Sequence, residues 1–275
     1  MIKTVAKLML CIILYAVVYM AASAVMPYSL SMKEMSSSDN PFLMLYMLIY
    51  CACVCFTMYF IIKHAHFSGM KLYLNIVFVM FFALSFMTHI ETLLFGSTFF
   101  AATKADIFLL MLSGLLPLIA TVQLFIKFFQ LREDLSMRNK INYKNIPVKL
   151  GIIGIIYLCS YILLGFLMTL IFDDFVTHYG EAIENTPNVF LNAAIQISRG
   201  ILYGAFVIPL LNILNAKRDF ILSVCMVFLC AGIQLIIPNE LFPENLRYIY
   251  LIEMTGAMLL LGIIAGNLLW KLKMS

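Results

Sequence analysis

Asn192, Gln196, Arg199 and Tyr203 are polar side chains set within one long apolar run. Their spacing is i, i+4, i+7 and i+11, so a helix gathers them into one stripe. Arg199 sits near the centre of the run, far from any charged end. A guanidinium offers five N–H donors in a rigid planar fork and accepts nothing, which suits a carboxylate or a phosphate. The run is long enough to cross a bilayer. A charge at its middle costs at least ~2.5–3.5 kcal/mol on insertion scales, which marks Arg199 as a functional group.

Such a group needs an acceptor: a carboxylate, backbone carbonyls, water or a ligand anion. The segment Thr88-His89-Ile90-Glu91-Thr92 supplies one carboxylate, and Glu253 supplies another. On a regular helix His89 and Glu91 point about 200° apart, so they cannot face the same partner. Glu91 shares a face with Thr88, and His89 with Ser85 and Thr92. Two accounts of the pair compete. Either the helix ends there and both wet their heads among lipid headgroups, or Glu91 is the counter-ion of Arg199. Gln234 and Glu253 lie in later apolar runs. His89, Glu91, Gln196, Arg199, Gln234 and Glu253 all fall in the outer half of their runs. The inner half offers little beyond Gln123, Asn212 and Asn267. The asymmetry predicts a polar cavity open to the outside above a dry plug, with Arg199, Gln196, Asn192, Tyr203, Glu91, His89, Glu253 and Gln234 as candidate substrate-binding residues. The plain alternative is a buried ion pair that fixes helix register, although apolar side chains often replace such a pair without loss.

Other constellations read as structure. Gly200 and Gly204, and again Gly262 and Gly266, have the small-xxx-small spacing that lets helices approach closely. Pro117 and Pro209 read as helix bends. Cys51, Cys53 and Cys55 lack the C-x-x-C spacing of redox or zinc sites and read as packing. His64 and His66 lack further metal ligands. Asp173, Asp174, His178 and Glu181 read as a solvated acidic loop. No phosphate-binding, dinucleotide-binding, zinc-protease or serine-hydrolase motif occurs. Neither a metal nor a cofactor is expected, and an enzyme is the less favoured reading.

These residues must be positioned by something, and composition says what. Of the 275 residues, 64% are hydrophobic and 12% charged, against about 25% charged in soluble domains. No soluble fold buries that excess. The expected fold is all-α: a polytopic integral membrane bundle of about eight transmembrane helices. The apolar runs cover approximately Thr4–Met26, Phe42–Ile62, Leu72–Phe95, Ile107–Phe129, Val148–Phe172, Phe190–Leu214, Phe220–Ile237 and Tyr248–Trp270. Each can span a core about 30 Å thick. The seventh is the shortest.

Basic residues fall in alternate connections: Lys3 and Lys7; Lys63 and Lys71; Arg132, Arg138, Lys140 and Lys144; Lys217 and Arg218; Lys271 and Lys273. The positive-inside rule makes that side cytoplasmic, with both termini inside and the plasma membrane the expected location. Basic residues confined to short loops also argue against nucleic acid as a partner. The first run has a basic start and Ala22-Ser23-Ala24, as a signal peptide would. Its apolar stretch exceeds a signal's ~7–15 residues, and it is expected to be retained.

The first run also matches the fifth at one offset. Lys7, Ile13, Tyr15, Tyr19 and Met26 correspond to Lys149, Ile155, Tyr157, Tyr161 and Met168. The match suggests a parallel four-plus-four repeat within a single membrane domain 1–275, with halves 1–130 and 148–275 joined by the basic loop 130–147. Chance likeness among apolar helices is the competing explanation. The leading functional expectation is permease-like binding or transport of a small anionic or amphiphilic substrate. An intramembrane enzyme acting on a lipid or membrane peptide at the outer leaflet, and a sensor or accessory subunit docked to a membrane partner subunit, are the alternatives.

Overall fold

The computed structural model describes residues 2–29, 40–90, 93, 103–130, 141–172, 189–238 and 244–274. Among them are eight helices long and apolar enough to cross a membrane, and no strand beyond an isolated Ala65–Leu214 bridge. They are α1 (Ile2–Val25), α2 (Leu43–His64), α3 (Gly69–Ile90), α4 (Lys104–Phe129), α5 (Ile146–Ile171), α6 (Val189–Ile213), α7 (Lys217–Ile233, extended by a 3₁₀ turn Gln234–Ile236) and α8 (Glu244–Met274). Helix α5 shows why the solvent is lipid. One face carries Ile155, Ile162, Phe166 and Leu170, each more than half exposed, while Ile153, Gly154, Tyr157, Ser160 and Met168 are buried. A helix whose exposed face is as apolar as its buried one is solvated by hydrocarbon. The chain is a multi-pass membrane protein.

Boundaries follow local chemistry. The turn between α2 and α3 passes through Gly69 at φ 62°, a left-handed conformation that disfavours a side chain. Helix α7 is the shortest span, as expected, and Pro238 stops any continuation of its final turn. Within α3 a π-helical turn, Phe82–Phe86, rephases everything beyond it. Its aromatic side chains meet α6: Phe82 stacks on Phe206 with centroids 4.3 Å apart, and Phe78 and Phe86 flank the same ring. On the other side of this turn the Ser85 hydroxyl donates to the Met111 carbonyl of α4 at 2.9 Å.

Helix α1 packs against α2 and α4, α3 against α4, and α2 against α4. Helix α5 packs against α6 and α8, α7 against α8, and α6 against α8. Three further seams, α2 with α7, α3 with α6 and the π turn of α3 with α7, join these groups, and α6 also touches α7. At the basic end the turns interlock. The His66 amide donates to the Ile213 carbonyl at 3.1 Å, Lys273 Nζ to the Leu214 carbonyl at 2.7 Å, and the Asn142 amide to the Leu272 carbonyl at 2.9 Å.

The far end is tied by Asp106. Its carboxylate accepts from the Ser29 amide and hydroxyl, both at 2.8 Å, and from the Thr103 amide at 3.0 Å and hydroxyl at 2.7 Å. Thr103 in turn accepts from the Asp106 amide, closing a capping box at the start of α4. One side chain thus both starts α4 and pins the chain leaving α1. Asp106→Ala is expected to destabilise the protein by about 1–3 kcal/mol, since it removes a helix cap and the two hydrogen bonds from Ser29. Asp106→Asn, which keeps an acceptor, should lose less. Thermal unfolding in detergent micelles measures both.

Candidate functional site

The polar stripe of α6 forms as its spacing requires. Gln196 and Tyr203 are 1% exposed and Arg199 5%, while Asn192 is half-buried. The Gln196 amide is the link between its neighbours. Its Nε2 donates to Asn192 Oδ1 at 3.3 Å, and its Oε1 accepts from an Arg199 terminal nitrogen at 3.1 Å. The guanidinium lies over the Tyr157 ring of α5, 5.7 Å from its centroid. The Tyr157 and Tyr203 rings are 5.9 Å apart, and Tyr203 meets Phe228 of α7 edge-on at 5.2 Å. Arg199 therefore points into the bundle, between an amide ladder on one side and an aromatic floor on the other.

Glycine makes this position available. A Cβ on Gly200 would stand 2.5 Å from the Tyr157 Cβ and 2.8 Å from the Gly154 Cα, and one on Gly154 would stand 2.7 Å from the Ile197 carbonyl oxygen. The α5 and α6 backbones touch here, which brings the Tyr157 ring under the neighbouring Arg199.

Gln234 and Glu253 are placed by the α7–α8 seam. Gly232 lies against Thr255, Gly262 against Cys225 and Gly266 against Ile221. These three contacts share one antiparallel register, and it sets Gln234 level with Glu253. Each is two residues from the Gly232–Thr255 contact, about 200° around its helix. They therefore turn to opposite sides of the pair and do not face each other. Glu253 is 3% exposed and shares a face with Ile249, one turn away, which packs on Met168 of α5. Gln234 is half-buried, and its Oε1 has no hydrogen-bond partner among the described residues.

Among the described residues, Glu253 forms no ion pair with Arg199. Glu91, the other carboxylate considered for it, lies outside the described residues, as do Asp173, Asp174, His178 and Glu181. His89 is half-buried, three residues beyond Phe86 and four beyond Ser85. The structure thus unites Asn192, Gln196, Arg199 and Tyr203, and places Gln234, Glu253 and His89 on other helices. Among the described residues no group of three His, Cys, Asp or Glu side chains is arranged to hold a metal. Cys51 and Cys55 are buried while Cys53 turns half outward.

Three buried groups escape a reading of the sequence as candidate sites. Tyr157 stands out there only as a repeat match, and nothing local says that a ring will lie beneath a guanidinium two helices' worth of sequence away. Asp106 has a visible signal in Thr103-x-x-Asp106, but its bonds to Ser29 have none. Arg247 falls just outside an apolar run and so passes for a headgroup residue. It is 3% exposed, with its guanidinium 5.2 Å from the Tyr248 ring centroid. Comparison with protein-family profiles, with curated proteins and with solved structures returns no match.

Proposed function

We propose that this membrane protein binds, and carries across the bilayer, a small anionic or amphiphilic molecule whose acidic group is received by Arg199. The observation that carries this reading is a guanidinium buried at the middle of α6, ordered by Gln196 and backed by the Tyr157 ring. Desolvation strengthens such a donor set toward an anion, because water no longer competes for the fork. The amides of Gln196 and Asn192 continue away from the basic end and offer a path of neutral polar contacts. Tyr203, Phe206 and Phe228 lie on the other side and close the way through.

The helix pairing supports a transport reading. Shifting each pair of the first group by four gives a pair of the second, with α6–α7 the one addition, and the same shift exchanges the α2–α7 and α3–α6 seams and returns α3–α7 to itself. Tyr15 and Tyr157, matched by sequence offset, are both 2% exposed. On this basis the chain is a four-plus-four parallel repeat whose halves can rock about a shared axis, as in transporters built from repeats. The charge of the stripe belongs to the second half alone: at the same sequence offset α2 buries Tyr50, Val54 and Thr57 where α6 has Asn192, Gln196 and Arg199. By the positive-inside rule the basic end is cytoplasmic, both termini included, which opens the stripe to the exterior of the plasma membrane.

Binding is tested on the full chain in lipid nanodiscs with lactate, inorganic phosphate and decanoate as probes. A ligand that binds only the folded state raises the melting temperature. At least one probe should stabilise the wild type and fail to stabilise Arg199→Gln. Arg199→Lys, which keeps the charge and loses the planar fork, should respond weakly. Equal shifts in all three proteins, or none in the wild type, would overturn the reading.

A further inference from the structure

We propose that a second binding site lies between α1, α2 and α7, and that it takes an uncharged molecule carrying a hydroxyl group, an alcohol or a phenol. The proposal does not rest on the reading of Arg199. It starts from three tyrosines brought together from two helices. The Tyr15 and Tyr19 rings of α1 are stacked with centroids 6.5 Å apart, and the Tyr19 ring meets Tyr50 of α2 edge-on at 6.3 Å. Tyr15 and Tyr50 are each 2% exposed. Both lie within electrostatic reach of Tyr19, of Cys51 on α2 and of Cys230 on α7, and Tyr50 within reach of Tyr15. Groups from three helices therefore converge here.

A buried phenol hydroxyl ordinarily finds a hydrogen-bond partner. Among the described residues the hydroxyls of Tyr15, Tyr19 and Tyr50 bond neither to one another nor to the main chain. Gln234 adds a buried Oε1 that likewise has no donor among the described residues. It follows Cys230 by one turn on the same face of α7, and the 3₁₀ turn that it opens packs against α2. Toward the basic end the frame is closed. The Thr57 hydroxyl of α2 donates to the Cys53 carbonyl at 2.9 Å and meets the Cys230 sulfur at 3.2 Å, while the Cys55 thiol donates to the Cys11 carbonyl of α1 at 3.8 Å. Those bonds tie the three helices together and leave the tyrosine hydroxyls over. Helix α7 divides this place from Arg199: Thr57 meets α7 at Cys230 and Tyr203 meets it at Phe228, two residues and about 200° apart.

The class of ligand follows from these groups. The side chains that act electrostatically on the three tyrosines are tyrosines and cysteines, uncharged at ordinary pH. A charged ligand would lose its hydration with nothing to balance it. Phenol hydroxyls both donate and accept, whereas the Gln234 Oε1 only accepts. A ligand hydroxyl answers both needs, giving its hydrogen to one oxygen and accepting from another. A ketone or an ether accepts only and leaves the Gln234 oxygen unmatched. The tyrosine rings favour an apolar or aromatic body attached to that hydroxyl.

Tritiated para-cresol titrated onto the full chain in lipid nanodiscs tests this, with protein-free nanodiscs subtracted to remove partitioning into lipid. Binding should saturate at a single molecule per chain. Tyr15→Phe and Tyr50→Phe keep the rings and Gln234→Leu keeps the bulk, and each should weaken binding roughly five- to tenfold, the loss of one hydrogen bond. The methyl ether of para-cresol should compete about tenfold less well than para-cresol itself, and lactate and phosphate should not displace the label. Without ligand, Tyr50→Phe should melt no lower than the wild type, because the hydroxyl it removes has no partner in the protein. The proposal is overturned if the wild type binds no more than protein-free nanodiscs, if all three variants bind like the wild type, if the methyl ether competes equally, or if lactate displaces the label. A lower melting temperature for ligand-free Tyr50→Phe also overturns it, since the hydroxyl would then hold structural water. Should the variants not be recovered folded, the competition series on the wild type decides.

Discussion

Arg199→Ala is expected to reduce anion affinity by roughly 100-fold or more while leaving a protein that inserts and folds. Truncating one partner of a desolvated, hydrogen-bonded charge pair typically costs 2–5 kcal/mol or more. The folded state loses less. Among the described residues the substitution removes the bond to Gln196 Oε1 and the contact with the Tyr157 ring, and it also removes the cost of burying a cation that is 5% exposed. Binding isotherms for phosphate, lactate and decanoate, run beside melting curves, separate these effects. A mutant that melts like the wild type and binds the same anion with the same affinity would show that Arg199 is only a structural group. Transport should fall with binding, since the proposed mechanism has no other receptor for the acidic group.

The second large effect concerns glycines and is graded by what each would strike. Gly200→Ala sets a methyl 2.5 Å from the Tyr157 Cβ and 2.8 Å from the Gly154 Cα, atoms that move only if the helices separate. The expected loss is about 1–3 kcal/mol, the usual cost of overpacking. Gly200→Leu should abolish folded protein. Gly204→Ala meets the Leu150 Cδ2 at 2.9 Å and the end of Ile153, which are free to rotate, so its loss should be smaller. Gly256 has nothing within 4 Å, and Gly256→Ala should be neutral or stabilise α8 by up to about 1 kcal/mol through helix propensity. Fluorescence-detected size-exclusion after heating ranks the series. If Gly200→Ala and Gly256→Ala melt alike, the close α5–α6 contact is not what holds Arg199 in place. The series also has a functional side: Gly200→Ala should weaken anion binding more than Gly204→Ala, because Tyr157 is displaced from beneath the guanidinium.

The residues themselves show how far local sequence reaches. The amphiphilic stripe of α6 is legible because helix geometry alone gathers Asn192, Gln196, Arg199 and Tyr203, and chain length plus hydropathy place Arg199 mid-span. The spacing of Gly200 and Gly204 announced a close helix contact without naming the partner. Phe82–Phe86 gave no warning of a π turn, since four apolar residues and a serine satisfy either helix type and the choice falls to the rings packed on Phe206. Gln234 and Glu253 share a polar character and a depth, so a reading by depth groups them. The α7–α8 seam separates them, because azimuth around a helix pair depends on which face is in contact.

What the amino-acid order determined by itself is the solvent, the eight spans and the face that carries the guanidinium. All three follow from composition and a 3.6-residue period, which need no knowledge of neighbours. Only the tertiary structure decided that Tyr157 floors Arg199, that Asp106 ties Ser29 to α4, and that Gln234 and Glu253 turn away from each other across the α7–α8 seam. Those facts depend on helix azimuth and register across seams. Such properties are set by the summed packing of distant residues, at glycines where backbones can touch, and no local pattern records them.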